Sequence, residues 1–522
     1  MGQAPSNGSC CSPCEPSQQP AVEQVTHRPA SVFQESADAG LQDIEPEEMP
    51  MDVHRSTKTL DLTLTNRQLL RGIPFCQTLW RGGRVWRHPP DALTLSERSQ
   101  LYSSSRPVEG LDRFLSHTWL TPGWRKVLSL LLSSGWPCML TGWVLGMIVP
   151  MVLCMLDVLP LTFETKGTAI GFSGVIPMSY WVSLFGTSTA LVGLVISPYL
   201  PCRKRDMCFL DVACIHQGDQ NLMQQGINNL GTFLEASEEL HVLWDTPLFS
   251  RLWCVFELAA FSKLKPTGKI TIAPIYVEAV ASQLFFILVA VNSLALFLRI
   301  GVASREFMLL ALAFCALILA PLLHSLRGKC RWKMELDDVL ANFDVFNVDC
   351  TVEVDKANIH AAIERWYSSL PAFSEFVRGL FRARARELTR TPGRMPMGYI
   401  YMLAAPSANF SLDVWLGLWK AGAPSDGLAA WLVGGFVAFT LLWFPTVIVL
   451  VFFACERWAQ RRSSRLRDYL QTLAIYLLTF AAFLVGAVGA SLACNHSIGL
   501  TALWTFIALL FSGITWYFCW LR

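Results

Sequence analysis

Long apolar runs and charged stretches alternate along this chain of 522 residues. Seven of the apolar runs reach the length of about 20 residues that crossing the hydrocarbon core of a bilayer requires. A helix in the core of a soluble protein keeps one charged side, whereas these runs carry almost no charge on any side. The pattern therefore predicts membrane-spanning helices over residues 136–156, 179–200, 279–298, 307–326, 427–455, 469–494 and 498–521.

Positive charges beside the runs predict an eighth crossing. Lys and Arg concentrate on the cytosolic side of membrane proteins, and arginine clusters at 382–394 and 457–467 place both of those segments there. Because both clusters are then cytosolic, the helix at 427–455 requires a second crossing between them, for which 395–418 is the candidate. Because this segment contains Pro406, Asn409 and Asp413, it is a poor lipid-facing helix and is either shielded by neighbours or re-entrant. We predict about eight spans.

Composition supports a membrane protein. The chain is 52% hydrophobic and 16% charged, with a mean hydropathy of +0.38, whereas soluble domains are about a quarter charged. A net charge of +2 gives no reason to expect nucleic-acid binding, so the predicted partner is the lipid bilayer. The 16 cysteines are dispersed without zinc-site spacing, which predicts no metal centre and thiols that are reduced, buried or lipid-modified.

The N-terminus carries acylation signals. Gly2 and Ser6 fit the N-myristoylation pattern, and Cys10, Cys11 and Cys14 follow as candidate palmitoylation sites. Residues 1–56 are rich in Pro, Ser, Gln and Glu, which is typical of disordered segments. The spans already anchor the chain, so acylation would hold this tail against the cytosolic leaflet.

Three charged stretches between the spans together approach the size of one domain. They cover residues 57–125, 202–278 and 328–394. Short apolar segments within them predict strands at 114–117, 208–212, 240–244 and 270–277. Residues 226–237 place apolar side chains every three or four positions, as an amphipathic helix does. Strands that alternate with helices predict a parallel α/β sheet.

Membrane hairpins would interrupt this sheet domain. The hairpins at 136–200 and 279–326 separate its three segments, and a transmembrane bundle at 395–522 follows it. Such insertions are tolerated where the two ends of a surface loop lie close together. The predicted fold is an α-helical multi-pass membrane protein with an α/β cytosolic domain assembled between membrane hairpins. In the alternative, the cytosolic segments are loops packed on the helical bundle.

One motif resembles a known family. The sequence Ser250-x-x-Trp253-Cys254-x-x-Glu257-Leu258 is similar to the Ser-x-Trp-Cys-x-x-Glu-Leu signature of Toll/interleukin-1 receptor (TIR) domains, with one extra residue after the serine. The segment Phe-Leu-Ser at 114–116 resembles the first strand of that family. The resemblance implies a TIR-like domain, in which 344–354 would supply the last strand and 356–366 the last helix.

The resemblance also implies a chemistry. In family members that cleave NAD, the glutamate of the motif is catalytic, so Glu257 is the candidate catalytic residue. Trp253 lies four positions earlier on the same helical face and would stack on the nicotinamide ring. The carboxylate would stabilise positive charge at the scissile N-glycosidic bond. NAD would be the substrate, and no bound cofactor is expected; the alternative is an ordinary glutamate on a solvated helix.

Four further residues are candidate substrate ligands. Asp211 and His216 follow the second predicted strand, and His117 and Trp119 follow the first. Ligands of parallel sheets bind at the carboxyl ends of strands, so these side chains would contact a ribose or phosphate. They are equally suited to act as turn and cap residues.

Three functions remain open at this point. The first is a self-associating TIR-like signalling protein, with NAD glycohydrolase activity undecided. The second is the same domain as a non-catalytic scaffold. The third is a channel or transporter with regulatory cytosolic segments, although charged residues at mid-membrane depth, which such proteins usually carry, are sparse.

Overall fold

The computed structural model describes residues 67–201, 206–300, 319–350, 353–389 and 395–521. The predicted lipidation sites, Gly2, Cys10, Cys11 and Cys14, lie outside the described residues, as does the rest of the predicted tail.

Within the described residues, eight strands form two sheets. In chain order they are β1 Arg71–Pro74, β2 Arg106–Pro107, β3 Leu111–Ser116, β4 Phe163–Ala169, β5 Phe172–Met178, β6 Met207–Phe209, β7 Ser237–Trp244 and β8 Lys269–Pro274. The larger sheet has the order β2-β1-β6-β3-β7-β8, and the smaller one pairs β4 with β5. Strands β6, β3, β7 and β8 are parallel, whereas β1 and β2 add an antiparallel edge.

The four predicted strands lie side by side. Phe114 pairs with Phe209 on one side and with Leu240 on the other, and Val242 pairs with Ile272. The rings of Phe114 and Phe209 stack with centroids 4.3 Å apart, and both side chains are fully buried. The central residues of these strands are mainly apolar and buried, as expected for strands of a parallel sheet that is covered on both faces. The prediction of a parallel sheet is confirmed, and β1 and β2 were not predicted.

Helices account for most of the remaining described chain. In chain order the longer ones are α1 Leu95–Ser104, α2 Gly123–Met155, α3 Trp181–Ile196, α4 Gln220–Asn228, α5 Leu230–Ala236, α6 Leu252–Leu264, α7 Tyr276–Ile300, α8 319–329, α9 Trp332–Ala341, α10 Glu353–Tyr367, α11 Leu370–Phe376, α12 Arg382–Leu388, α13 Met397–Lys420, α14 Ser425–Arg457, α15 Arg465–Asn495 and α16 Ile498–Trp516.

Two local predictions are wrong. Residues 226–237 do not form one helix, because α4 and α5 are separate, with Asn229 between them, and Ser237 already belongs to β7. The described part of 344–354 is not a strand, because the Asp344 side chain accepts a hydrogen bond from the Phe346 backbone N–H (3.2 Å) and caps a tight turn. Asp349 forms only an isolated bridge with Arg251. The helix predicted at 356–366 is present as α10.

Six helices in the described part of the chain are long and apolar enough to cross a membrane. They are Gly123–Met155, Trp181–Tyr199, Tyr276–Ala295, Ser425–Arg457, Arg465–Asn495 and Ile498–Cys519. Each matches one of the seven predicted runs; most of the seventh, 307–326, lies outside the described residues. Between 22% and 56% of their most apolar windows is buried, so these helices retain broad apolar surfaces of the kind that lipid covers.

The helix α13 corresponds to the weak span predicted at 395–418. It is continuous over 24 residues and packs against α2, α3, α7 and α14, which bury most of its side chains. The side chain of Asn409 accepts a hydrogen bond from Trp143 Nε1 (2.8 Å), and that of Asp413 accepts three from the start of α3. Its polar groups are therefore shielded by neighbouring helices. The count of eight spans stays a prediction.

The hairpin of α2 and α3 connects two neighbouring strands of the larger sheet. The chain leaves β3, continues through α2, turns through the β4–β5 hairpin, returns through α3 and enters β6. The two helices pack closely at glycines: a Cβ on Gly142 would lie 2.3 Å from the backbone oxygen of Thr189, and one on Gly146 would lie 1.9 Å from its Oγ1. The β4–β5 hairpin, which contains Lys166, was not predicted.

Candidate functional site

A cavity of ≈ 290 Å³ opens at the carboxyl ends of β3 and β6. Strand β3 lies between β6 and β7 in the sheet. The strand that follows β3 in the chain, β6, pairs on one side of it, and the next strand of this sheet, β7, pairs on the other side. Parallel sheets bind ligands in the crevice at this kind of switch point. Predicted site residues that line the cavity are His117, Trp119, Asp211, Trp253 and Glu257.

Glu257 lies on α6 and is half-buried. One of its carboxyl oxygens accepts a hydrogen bond from Ser116 Oγ at the end of β3 (2.6 Å). The pKa of Glu257 is raised to about 8. Burial is the main cause, the hydrogen bond from Ser116 opposes it, and the Asp211 charge adds to it. The carboxyl group is therefore mainly protonated at neutral pH.

Two indole rings line the cavity. Trp253 lies one helical turn before Glu257 on α6 and is half-buried, with its ring against the edge of the Phe256 ring. Trp119 follows β3 and donates its indole N–H to Asp211 Oδ2 (2.9 Å). Phe209 and other apolar side chains complete the lining. Such a mixture of aromatic walls and few polar groups is typical of small-molecule sites.

A chain of hydrogen bonds links Lys126, His117 and Asp211. Lys126 Nζ lies 3.3 Å from His117 Nδ1, and His117 Nε2 lies 3.3 Å from Asp211 Oδ1. A lysine ammonium can only donate, so Nδ1 accepts and Nε2 carries the proton that is donated to Asp211. These two hydrogen bonds therefore fix the orientation of the His117 imidazole and favour its neutral Nε2–H tautomer.

Burial and mutual electrostatic interaction set the charges of Lys126, His117 and Asp211. Burial lowers the pKa of His117 and the neighbouring Lys126 lowers it further, which favours the neutral imidazole. Burial alone would raise the pKa of Asp211, but His117 and the hydrogen bonds from Trp119 and the Val212 backbone N–H outweigh it, so that pKa is lowered. Asp211 is thus an anion beside the cavity, with 36% of its side chain exposed.

Sequence analysis missed the place of Lys126 in this group. Lys126 and Arg125 are adjacent to an apolar run, where basic residues usually indicate the cytosolic end of a membrane helix. In the structure Lys126 is fully buried and lies over the rings of Trp119 (4.7 Å to the centroid) and Trp86 (5.6 Å). One feature of the sequence pointed to this place: Lys126 lies three residues after the start of α2, and α2 begins shortly after β3 ends.

His216 does not line the cavity, contrary to its predicted role. Its Nδ1 accepts hydrogen bonds from the backbone N–H groups of Gly218 (3.2 Å) and Asp219 (2.8 Å), and its ring packs against Tyr102. These contacts hold the turn before α4, which is the cap role considered as the alternative. Four other polar residues line the cavity and were not predicted: Thr118, Gln217, Arg251 and Asp355.

Within the described residues, no group of three or more His, Cys, Asp or Glu side chains is arranged to hold a metal ion. Comparison with known proteins gives no match: no protein-family model, curated protein or solved structure is significantly similar to the chain.

Proposed function

We propose that the protein is a membrane-embedded, TIR-like signalling enzyme that cleaves the nicotinamide–ribose bond of NAD at its cytosolic face. The observation that carries the proposal is the pairing of Glu257 with Trp253, one helical turn apart, on a cavity at the switch point of a parallel sheet. A second indole, Trp119, and the anionic Asp211 line the same cavity.

The size and lining of the cavity fit the nicotinamide riboside half of NAD. A volume of ≈ 290 Å³ is at the lower end of small-molecule pockets, so the adenine half would remain outside. Trp253 or Trp119 would stack on the nicotinamide ring, whose positive charge favours an aromatic face. Asp211 would accept hydrogen bonds from ribose hydroxyls.

In the proposed reaction, Glu257 responds to the charge of the substrate. The nicotinamide ring of NAD is cationic, so its arrival beside Glu257 favours release of the carboxyl proton. The resulting carboxylate stabilises the oxocarbenium-like charge as the C–N bond breaks and its electron pair leaves with nicotinamide. Water adds to the ribose carbon, and Glu257 accepts the proton that the water loses.

The direct test is nicotinamide release by the full-length protein in detergent, with and without forced clustering. Glu257→Gln keeps the size and the hydrogen bond with Ser116 but cannot become an anion, so we expect it to abolish release. Glu238→Gln is the matched control, because Glu238 is an exposed glutamate on β7 of the same sheet. Equal release by Glu257→Gln and the wild type would exclude Glu257 as the catalyst.

A non-catalytic scaffold is the second candidate, and one observation favours it. A protonated Glu257 bonded to Ser116 is also a stable arrangement for a polar pair that only helps to fix α6 against β3. The scaffold predicts no nicotinamide release under forced clustering, together with self-association that Glu257→Gln leaves intact. Cross-linking of the full-length protein in the same detergent measures that self-association.

A further inference from the structure

A second cavity, of ≈ 400 Å³, lies between α1 and residues 77–88. Its lining is strongly basic: Arg81, Arg84, Arg87 and His88 contribute to it, and all four are exposed. Glu97 is the one acid among the lining residues, all of which belong to the described part of the chain. No residue of this cavity lines the Glu257 cavity.

The arginines are held on a loop that is fixed to the first turns of α2. Trp86 is 1% exposed, and Gly83 has a φ of +68° that favours glycine. A Cβ on Gly83 would lie 2.2 Å from Val127 Cγ2, and one on Gly123 would lie 1.9 Å from the Trp86 carbonyl oxygen. The loop therefore packs directly on α2, so the basic side chains project from a rigid support.

The same loop is tied to the end of another candidate membrane helix. Trp80 donates its indole N–H to the carbonyl oxygen of Pro198 (2.9 Å), and its ring stacks on that of Tyr199 (6.0 Å between centroids). The Tyr199 hydroxyl accepts the backbone N–H of Arg81 (2.7 Å). Tyr199 is the last residue of the span Trp181–Tyr199.

Three exposed aromatic side chains occur where the arginine loop meets the two candidate membrane helices. Trp80, Trp124 and Tyr199 are 41%, 59% and 53% exposed, and all three lie at the ends of α2 and α3 that adjoin the larger sheet. Trp and Tyr prefer the boundary between hydrocarbon and water, where one part of the ring is apolar and the other is wet. Trp80 also lines the basic cavity, so we expect this cavity to lie at the level of the phospholipid headgroups.

Arginine is suited to phosphate because its planar guanidinium donates two parallel hydrogen bonds to it. Glu97 does not neutralise the cavity: its carboxylate is 3.8 Å from Arg84 Nη2, and both side chains remain more than 40% exposed. We propose that this cavity binds the phosphate-bearing headgroup of an anionic lipid in the leaflet that adjoins the larger sheet.

The test measures lipid binding to the full-length protein by native mass spectrometry in neutral detergent. The probes are a short-chain phosphatidylinositol phosphate, a short-chain phosphatidylcholine and the soluble inositol phosphate headgroup. We expect retention of the anionic lipid, little retention of phosphatidylcholine and weaker binding of the free headgroup, which lacks the acyl chains. Equal affinity for the lipid and the free headgroup would assign the cavity to a soluble phosphate, and equal retention of both lipids would overturn the proposal.

Paired variants separate the cavity from general attraction to a basic membrane surface. Arg84→Gln with Arg87→Gln should weaken binding of the anionic lipid by about tenfold or more, because each arginine supplies a charged hydrogen bond. The matched control is Arg461→Gln with Arg465→Gln, which removes two exposed charges near the end of α14 and start of α15. Equal weakening in both pairs would overturn the assignment to the cavity.

Two single variants guard against disturbance of the loop. Arg87 donates to the Arg81 carbonyl oxygen (2.9 Å) and helps to hold the loop, so Arg84→Gln is also measured alone and should weaken binding. Glu97→Gln removes the acid of the cavity and should tighten binding while its side-chain oxygen can still cap α1. A Glu97→Gln protein that binds the lipid less tightly than the wild type would contradict the proposal.

Discussion

The helical bundle holds a buried carboxyl group and the larger sheet adjoins a half-buried one, and the two groups differ in their hydrogen bonds. Asp413 on α13 is 1% exposed and accepts hydrogen bonds from the backbone N–H groups of Val182 (3.1 Å) and Ser183 (3.0 Å) and from Ser183 Oγ (2.6 Å). Glu257 on α6 accepts one, from Ser116, and lines a cavity.

This difference distinguishes a carboxyl group with a structural role from one that is available to bind a ligand. The hydrogen-bonding capacity of Asp413 is consumed at the N-terminus of α3, where the unpaired backbone N–H groups of a helix favour an anion. Glu257 accepts one hydrogen bond, keeps capacity for a further partner and adjoins a cavity. Burial of an acid therefore indicates function only when its hydrogen bonds are incomplete and it adjoins open space.

The largest expected effect is the loss of Asp413. Asp413→Ala removes the acceptor of three donors at the start of α3, of which Val182 is buried and Ser183 partly buried, and we expect a loss of about 3 kcal/mol or more in the free energy of unfolding. Unfolding of the detergent-solubilised protein by a denaturing detergent measures this. Asp426→Ala, at an exposed position in the first turn of α14, should change the free energy of unfolding by no more than about 0.5 kcal/mol. A similar loss in both variants would remove the distinction.

The opposite sign is expected at Glu257. A carboxyl whose pKa is raised to about 8 holds its proton in the folded protein and releases it on unfolding, so it costs stability progressively as the pH rises from its unfolded value towards 8. Glu257→Gln removes that cost and should raise the free energy of unfolding by about 1 kcal/mol near pH 8. Below the unfolded pKa the difference should vanish. Melting temperatures across this pH range test it, and destabilisation near pH 8 would contradict it.

The smallest effect concerns Lys126 and His117. The pKa of His117 is lowered first by burial and then by Lys126, so stability falls as the pH drops below the usual histidine range towards the folded pKa. Lys126→Met removes the second cause, so the pKa of His117 should rise and this acid-side loss should shrink by less than about 1 kcal/mol. NMR titration of His117 reports the pKa, with exposed Lys263→Met as the control. An unchanged His117 titration in Lys126→Met would show that the lysine has no electrostatic influence there.

The sequence predicted the features whose cause is local. Apolar runs that are long enough to span a membrane can be recognised from consecutive residues. The same is true of strands such as 240–244, which are buried on both sides. The short strand β1 carries no such pattern, because its four residues include Gly72 and Pro74. The strand predicted at 344–354 failed because the side chain of Asp344 competes for the backbone and turns the chain.

The candidate site was predictable where residues follow a strand end or share a helical face. Trp253 and Glu257 are four positions apart on a helix. His117 and Trp119 come within three residues of the end of β3, and Asp211 comes two residues after the end of β6. Lys126 could not be assigned in this way, because its place beside His117 depends on the angle at which α2 leaves the sheet. His216 shows the reverse, since a residue near a strand end turned to cap the backbone instead.

The connection of β3 to β6 through α2 and α3 has a consequence for how the molecule is made. His117 and Asp211 meet across 94 positions of sequence, and nearly all of the intervening chain passes through the helical hairpin. Pairing of distant segments is slow, because the loop between them must close before any contact is gained. As synthesis proceeds, β3 and its apolar Phe114 emerge before β6 and β7, the two strands that flank β3 in the sheet. The sheet can therefore close around β3 only after the whole hairpin has been made, and a hairpin that fails to form would leave an unpaired, aggregation-prone strand.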